Sequence, residues 1–194
     1  MKLSADSVSA SPKGWIQSVL ENFDAFLQDH ANCERHSSQM AMELVGKYPE
    51  KTDIVPALIE TAIEELEHFQ RVYCIMEKRG LSLLPQDGPG AYLSELYSHC
   101  RPERDARFVD ELLLASILEC RGAERFRTIH QHLPAGKLKE FYQQLAASES
   151  KHAHLYVKMS AQYLPQTEVQ SRLHQLIQQE AAIMDSMEVR PALH

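Results

Sequence analysis

Ala62-Ile63-Glu64-Glu65-Leu66-Glu67-His68-Phe69 sets a glutamate and a histidine, Glu65 and His68, three residues apart in a run with helical periodicity. On a helix, positions i and i+3 are neighbours on one face. A carboxylate and an imidazole spaced this way can hold one metal ion between them. A second unit of the same form occurs at Glu149-Ser150-Lys151-His152. Chance alone supplies about one such pair in a chain this rich in Glu and His, so the motif carries weight only through its placement.

Placement supplies the case. The stripe through the first unit is Leu58, Ala62, Glu65, His68, Phe69, Val72, Ile75 and Met76. The stripe through the second is Phe141, Leu145, Glu149, His152, Leu155, Met159 and Tyr163. Each is preceded by a helix that carries one glutamate on its apolar stripe. Glu34 lies among Phe23, Leu27, His30, Ser37, Ala41 and Leu44, and Glu119 among Phe108, Leu112, Ala115, Gly122, Phe126 and Ile129. The spacing from Glu34 to Glu65 is 31 residues and that from Glu119 to Glu149 is 30. Glu34 stands about 13 residues from its helix end and Glu65 about 12 residues into the next helix, roughly 20 Å and 18 Å at 1.5 Å per residue. Each half therefore reads as a hairpin that brings a lone Glu beside a Glu-x-x-His unit.

Helix boundaries follow from local chemistry. The first helical stretch runs from Trp15 to about Lys47, with a kink expected near Asp24, and ends at Tyr48-Pro49 because the residue before proline avoids the α region. The second starts near Asp53, read as an N-cap with Pro56 in the first turn, and stops at Gly80. Leu83-Leu84-Pro85-Gln86-Asp87-Gly88-Pro89-Gly90 is a turn-rich connection, followed by a short helix over 91–99. The third helix spans about 103–132 and the fourth about 137–163. A fifth, over about 167–187, carries Val169, Leu173, Leu176, Ile177, Ala181 and Met184 as a bracing helix. Residues 1–12 are expected to be a loose arm and the last residues to fray. The expected fold is all-α: a ferritin-like four-helix bundle in one domain, with one long crossover between Glu65 and Glu119 and an additional C-terminal helix.

Four buried carboxylates without cations would be costly or would protonate. Two divalent ions carry +4 against −4, and a mixed oxygen and imidazole set suits iron or manganese. The expected metal ligands are Glu34, Glu65, His68, Glu119, Glu149 and His152. Glu64 and Glu67 read as solvated, His30 as core packing, His154 as directed elsewhere, and Glu124 as a rival to Glu119 outside the main stripe.

Composition excludes several alternatives. The chain of 194 residues is 44% hydrophobic and 24% charged, with a net charge of −7, which argues against a wholly basic nucleic-acid binder but not against a local basic patch. The four cysteines, Cys33, Cys74, Cys100 and Cys120, form no Cys-x-x-Cys pair, which disfavours a zinc ribbon or a rubrerythrin-type iron centre. No run of about 18 apolar residues and no apolar signal core are present, so a cytoplasmic protein is expected.

The sequence resembles the tRNA 2-methylthio-isopentenyladenosine hydroxylases. The resemblance rests on Asp29-His30-Ala31 with Cys33-Glu34, on Glu64-Glu65-Leu66-Glu67-His68-Phe69, on Leu112-Leu113-Leu114 through Glu119, Arg121 and Glu124-Arg125-Phe126, and on Ser148-Glu149 with His152, and it covers about residues 15–165. Arg35-His36-Ser37 and Ser150-Lys151 depart from the family pattern without replacing a ligand. The resemblance implies a monooxygenase that uses two irons, dioxygen and external electrons to hydroxylate the isopentenyl group of the hypermodified adenosine next to the anticodon. Glu65 and Glu149 would bridge the irons. The implied partners are tRNA and an electron donor such as a ferredoxin or reductase, with no membrane and a monomer or small oligomer. Arg101, Arg104, Arg107, Lys137 and Lys139 are the candidate tRNA contacts, while Arg121 and Arg125 sit where they would pair with carboxylates. The rival readings are a di-iron oxidase, peroxidase or iron-handling protein, and a helical scaffold without metal.

Overall fold

A computed structural model describes residues 8–85 and 90–193. Among the described residues there are seven α-helices and no strand: α1 (Trp15–Glu21), α2 (Phe23–Lys47), α3 (Val55–Lys78), α4 (Gly90–Ser98), α5 (Arg104–His132), α6 (Lys137–Ser160) and α7 (Gln166–Ser186). The chain divides into two compact units. One comprises Gln17–Gly88 with Arg190–Leu193, and the other Met1–Ile16 and Pro89–Val189 with His194.

The first unit is built on the hairpin α2–α3. The kink expected near Asp24 is a break at Asn22, which separates α1 from α2. The buried stripe of α2 holds Phe26, Leu27, His30, Ala31, Glu34, Ser38, Met40, Ala41 and Leu44. Phe26 and Ser38 thus take the inward places expected of Phe23 and Ser37, because a 3.6-residue repeat passes through positions four residues either side of His30 and Glu34. Asp53 is not the helix cap. Residues Thr52–Ile54 form a 3-10 turn, α3 begins at Val55, and Pro56 stands in its first turn, where its missing N–H costs nothing. Gly80 ends α3 with φ of 71°, and the Leu81 N–H returns to the Met76 carbonyl at 3.0 Å, a geometry that favours glycine. Of the turn-rich connection, residues 86–89 lie outside the described residues. The end of the chain does not fray throughout: Ala192 and Leu193 are buried, and the Leu193 N–H donates to Oδ2 of Asp29 at 2.6 Å.

The second unit is built on the hairpin α5–α6, with α4 and α7 beside it. α5 is buried on every side from Phe108 to Phe126, charged residues included. A helix enclosed all round must pair its charges. Asp110 accepts from Arg101 Nε at 3.0 Å and from Arg172 Nε at 2.9 Å, which ties the α4–α5 link and α7 to α5. Arg121, fully buried, grips Glu180 of α7 with Nε at 2.8 Å and Nη2 at 2.9 Å. Tyr92 of α4 donates to the same Glu180 at 3.1 Å. Glu180 stands on the inward stripe of α7, in the register where Ala181 was expected.

The N-terminal arm, expected to be loose over residues 1–12, lies outside the described residues up to residue 7. The remainder is held. Val8 is buried, the Ser11 N–H and Oγ donate to Glu124 at 3.1 and 2.6 Å, and Arg121 Nη1 donates to the Ser9 carbonyl at 2.6 Å. Arg125 lies over the Trp15 ring at 4.7 Å and is itself buried; that burial, and next the neighbouring Arg121 charge, push its pKa down to about 10.

Candidate metal centre

In the first unit, α2 supplies Glu34 and α3 supplies Glu65 and His68. Ligand atoms of all three lie within 4.8 Å of one another, and all three side chains are buried. Nδ1 of His68 is 3.4 Å from Oε2 of Glu65 and 3.6 Å from Oε2 of Glu34. The register comes from a bond between the helices: Ser38 Oγ donates to the Ala62 carbonyl at 2.8 Å. Ser38 is one turn beyond Glu34 and Ala62 one turn before Glu65, so this contact sets the two carboxylates at one level. A serine is small enough to let the backbones approach while satisfying its own hydroxyl.

The second unit repeats the arrangement. α5 supplies Glu119, α6 supplies Glu149 and His152, and ligand atoms of these three also lie within 4.8 Å of one another, all buried. Nδ1 of His152 is 3.4 Å from Oε2 of Glu149. Ser116 Oγ donates to the Ala153 carbonyl at 2.7 Å. Ser116 precedes Glu119 by one turn and Ala153 follows Glu149 by one turn, so the same device recurs with the chain direction exchanged. Gly122 faces Glu149: a Cβ built on it would stand 3.6 Å from Glu149 Cγ, an ordinary van der Waals contact.

Both triads have two carboxylates and one imidazole in a buried setting, a set of hard oxygen and nitrogen donors that suits a divalent ion of the iron or manganese kind. Carboxylates brought this close in a poorly solvated place repel unless a cation or a proton stands between them. The donor sets fit a metal.

Glu124, the rival to Glu119, belongs elsewhere, since it binds Ser11 and takes an ion pair from Arg121 Nη1 at 3.2 Å. Arg121 pairs with carboxylates as the sequence implies. Among the candidate tRNA contacts, Arg101 and Arg107 are half exposed and engaged with Asp110 and Glu111, and Lys139 Nζ donates to the Leu133 carbonyl at 3.0 Å. Arg104 and Lys137 are exposed. Sequence reasoning missed His30, which was read as packing: its Nε2 lies 2.6 Å from Oε1 of Glu34. The available signal was its place four residues before a stripe glutamate.

Comparison with known proteins places these observations. Residues 7–194 match the model of the family described as tRNA-(MS[2]IO[6]A)-hydroxylase (MiaE). A tRNA 2-(methylsulfanyl)-N(6)-isopentenyladenosine(37) hydroxylase from Pseudomonas putida is 33% identical over 79% of this chain and 74% of its own length. One of the same name from Salmonella typhimurium is 22% identical over 78% of this chain and 74% of its own. Among solved structures, a protein from Synechococcus with aldehyde deformylating oxygenase activity superposes with a TM-score of 0.87 at 31% identity, over 94% of this chain and 90% of that one. The fold is that of the ferritin-like all-helical proteins. No helix among the described residues is long and apolar enough to cross a membrane.

Proposed function

We propose that this chain, which belongs to the MiaE family of tRNA hydroxylases, hydroxylates the isopentenyl group of 2-methylthio-isopentenyladenosine next to the anticodon, through a pair of irons held by its two triads. The observation that carries the reading is the repetition of one buried Glu with Glu-x-x-His, three ligands per helical hairpin. Glu34, Glu65 and His68 would hold one ion and Glu119, Glu149 and His152 the other. Four carboxylates balance two divalent charges. Bound iron supplies the electrons that activate dioxygen for insertion into an unactivated C–H bond, a step outside the reach of side-chain acid–base chemistry.

The remaining work falls to the chain itself. The Ser38–Ala62 and Ser116–Ala153 bonds fix the ligand level within each hairpin, and the burial of the triads keeps water from the reacting groups. The target base lies in a single-stranded loop, so its presentation costs less unstacking than extrusion from a duplex. Arg104 and Lys137, exposed, are the candidates for phosphate contact. Arg101, Arg107 and Lys139 would join them while keeping their internal partners. A separate electron-donor protein completes the cycle, and a cytoplasmic setting follows from the tRNA substrate.

A second reading has one observation in its favour: the Synechococcus oxygenase shares the fold at nearly the identity of the first curated relative. One experiment separates them. The protein, supplied with Fe(II), a reductant and oxygen, is incubated with tRNA bearing the isopentenyl nucleoside and, in parallel, with an aliphatic aldehyde. Mass spectrometry of the nucleosides is expected to show the gain of one oxygen atom. Loss of the formyl group from the aldehyde with unaltered tRNA would reverse the assignment.

A further inference from the structure

We propose that His30 is a positioning residue for Glu34: it holds one carboxylate oxygen by a hydrogen bond and so leaves the other to meet the metal as a single-oxygen ligand. The inference rests on the reading of Glu34, Glu65 and His68 as metal ligands. His30 and Glu34 stand four residues apart on α2 and share a face. His30 Nε2 is 2.6 Å from Glu34 Oε1, and both side chains are buried, His30 completely. An ionised carboxylate only accepts, so Nε2 carries the proton and donates.

The two oxygens of Glu34 are thereby divided between two tasks. Oε1 is turned to His30, while Oε2 is the oxygen 3.6 Å from His68 Nδ1, on the side of Glu65. The imidazole is itself fixed. Phe26 lies one turn further back on the same face, fully buried, with ring centroids 5.6 Å apart and planes tilted by 33°. Phe26, His30 and Glu34 form a ladder of side chains at four-residue spacing, in which an aromatic ring orients an imidazole and the imidazole orients a carboxylate. Rotation of Glu34 to offer both oxygens to an ion would break a buried hydrogen bond. The second triad has no such ladder on its own helix. Four residues before Glu119 stands Ala115, buried and without a side-chain donor.

Groups that hydrogen-bond a metal ligand typically influence metal affinity by about 10- to 100-fold. Co(II), divalent and stable in air, is the probe. It is titrated into the metal-free full-length protein by calorimetry and followed by visible ligand-field absorption, for the natural protein, His30→Leu and His30→Gln. Binding of two Co(II) by the natural protein supports the metal reading, and no binding would remove that reading and this proposal together. Given binding, His30→Leu is expected to weaken one of the two steps by about 10- to 100-fold and to alter the absorption of that step. Gln, whose amide can donate from the same place, is expected to recover most of the affinity. A Leu variant with natural affinity and spectrum, or a Gln variant as weak as Leu, overturns the proposal. If His30→Leu does not fold, as judged by circular dichroism, His30→Met takes its place. A histidine that merely packs would lower the melting temperature of both variants while leaving the Co(II) spectrum unmoved, and that result also counts against it.

Discussion

Replacing Arg121 by leucine is expected to be among the most damaging single changes in the α5–α6 unit. The size follows from what the guanidinium touches. It donates twice to Glu180, once to Glu124, and to both the carbonyl and the hydroxyl of Ser9. Arg121 and Glu180 are both wholly inaccessible to solvent. After the change, Glu180 keeps only the Tyr92 hydroxyl as donor among these contacts, and Glu124 keeps the Ser11 pair. A charge left buried by removal of its partner costs about 3–5 kcal/mol. For a chain of this size each kcal/mol moves the melting temperature by about 2–4 °C, so a fall of about 6–20 °C is expected. Urea unfolding at neutral pH and calorimetry measure both quantities. The decisive control is Arg121→Leu with Glu180→Leu. If the damage comes from the stranded carboxylate, the double variant is more stable than the single one, because an apolar pair of similar volume can replace a buried ion pair. A loss below about 1 kcal/mol for Arg121→Leu, or a double variant worse than the single, would refute this account of α5. Limited proteolysis provides a second readout, since the arm loses both of its Arg121 contacts at Ser9 and should be cut sooner there.

Three further outcomes are expected. Glu65→Gln removes one of the two carboxylates of its triad, whose oxygens lie within 4.8 Å, so it should raise the melting temperature of metal-free protein and diminish the rise that Fe(II) or Co(II) gives the natural protein, as scanning calorimetry would record. Burial would raise the Asp110 carboxyl, but hydrogen bonds from Arg172 and Arg101 outweigh it and hold the group below its ordinary 3.8. A depressed folded value means stability present above that ordinary value and lost as pH falls through the folded one, so the urea midpoints of natural protein and Asp110→Asn should differ at pH 7 and converge below about pH 4. Burial pushes the Cys120 thiol up to about 12 and the Cys100 thiol up to about 11, whereas Cys74 is exposed. A disulfide reagent at pH 8 should therefore modify Cys74 in the folded protein and reach Cys100 and Cys120 only in urea, as counted by mass spectrometry.

The hairpins and both triads were legible in the sequence because three-residue spacing, helix geometry and charge on an apolar stripe all depend on local order. Glu34, Glu65, Glu119 and Glu149 could be placed at depth by counting residues to a proline or glycine stop. What failed to show depended on long-range pairing. Ser9 and Ser11 have no periodicity, and they are held through Glu124 and Arg121, more than a hundred residues away. Glu180 was passed over in favour of Ala181 on the expected stripe, since its inward turn makes sense only once Arg121 is there to meet it. Asp53 had the chemistry of a cap, yet the chain spends that position in a 3-10 turn and begins α3 two residues later. The partners of Arg101 and Arg107, Asp110 and Glu111, did not show because they lie in a helix whose periodicity pointed to its apolar residues.

Buried charge on a helical stripe thus has two explanations, and the sign of the facing group separates them. On α5, Asp110 faces Arg101 and Arg172, Glu111 faces Arg107, and Glu124 faces Arg121. Each negative charge meets a guanidinium that the chain itself supplies, and the result is structural. Glu119 instead meets Glu149 and His152, and Glu34 meets Glu65, His68 and His30. Carboxylates gathered with carboxylates, and with imidazoles that are neutral when they act as ligands, make a donor set that suits a divalent cation. α5 carries both kinds within ten residues, so the same helix that stiffens the second unit also carries Glu119, the ligand proposed for its metal. The guanidinium pairs hold the helix still, and a ligand on a helix that cannot shift is already placed for an incoming ion.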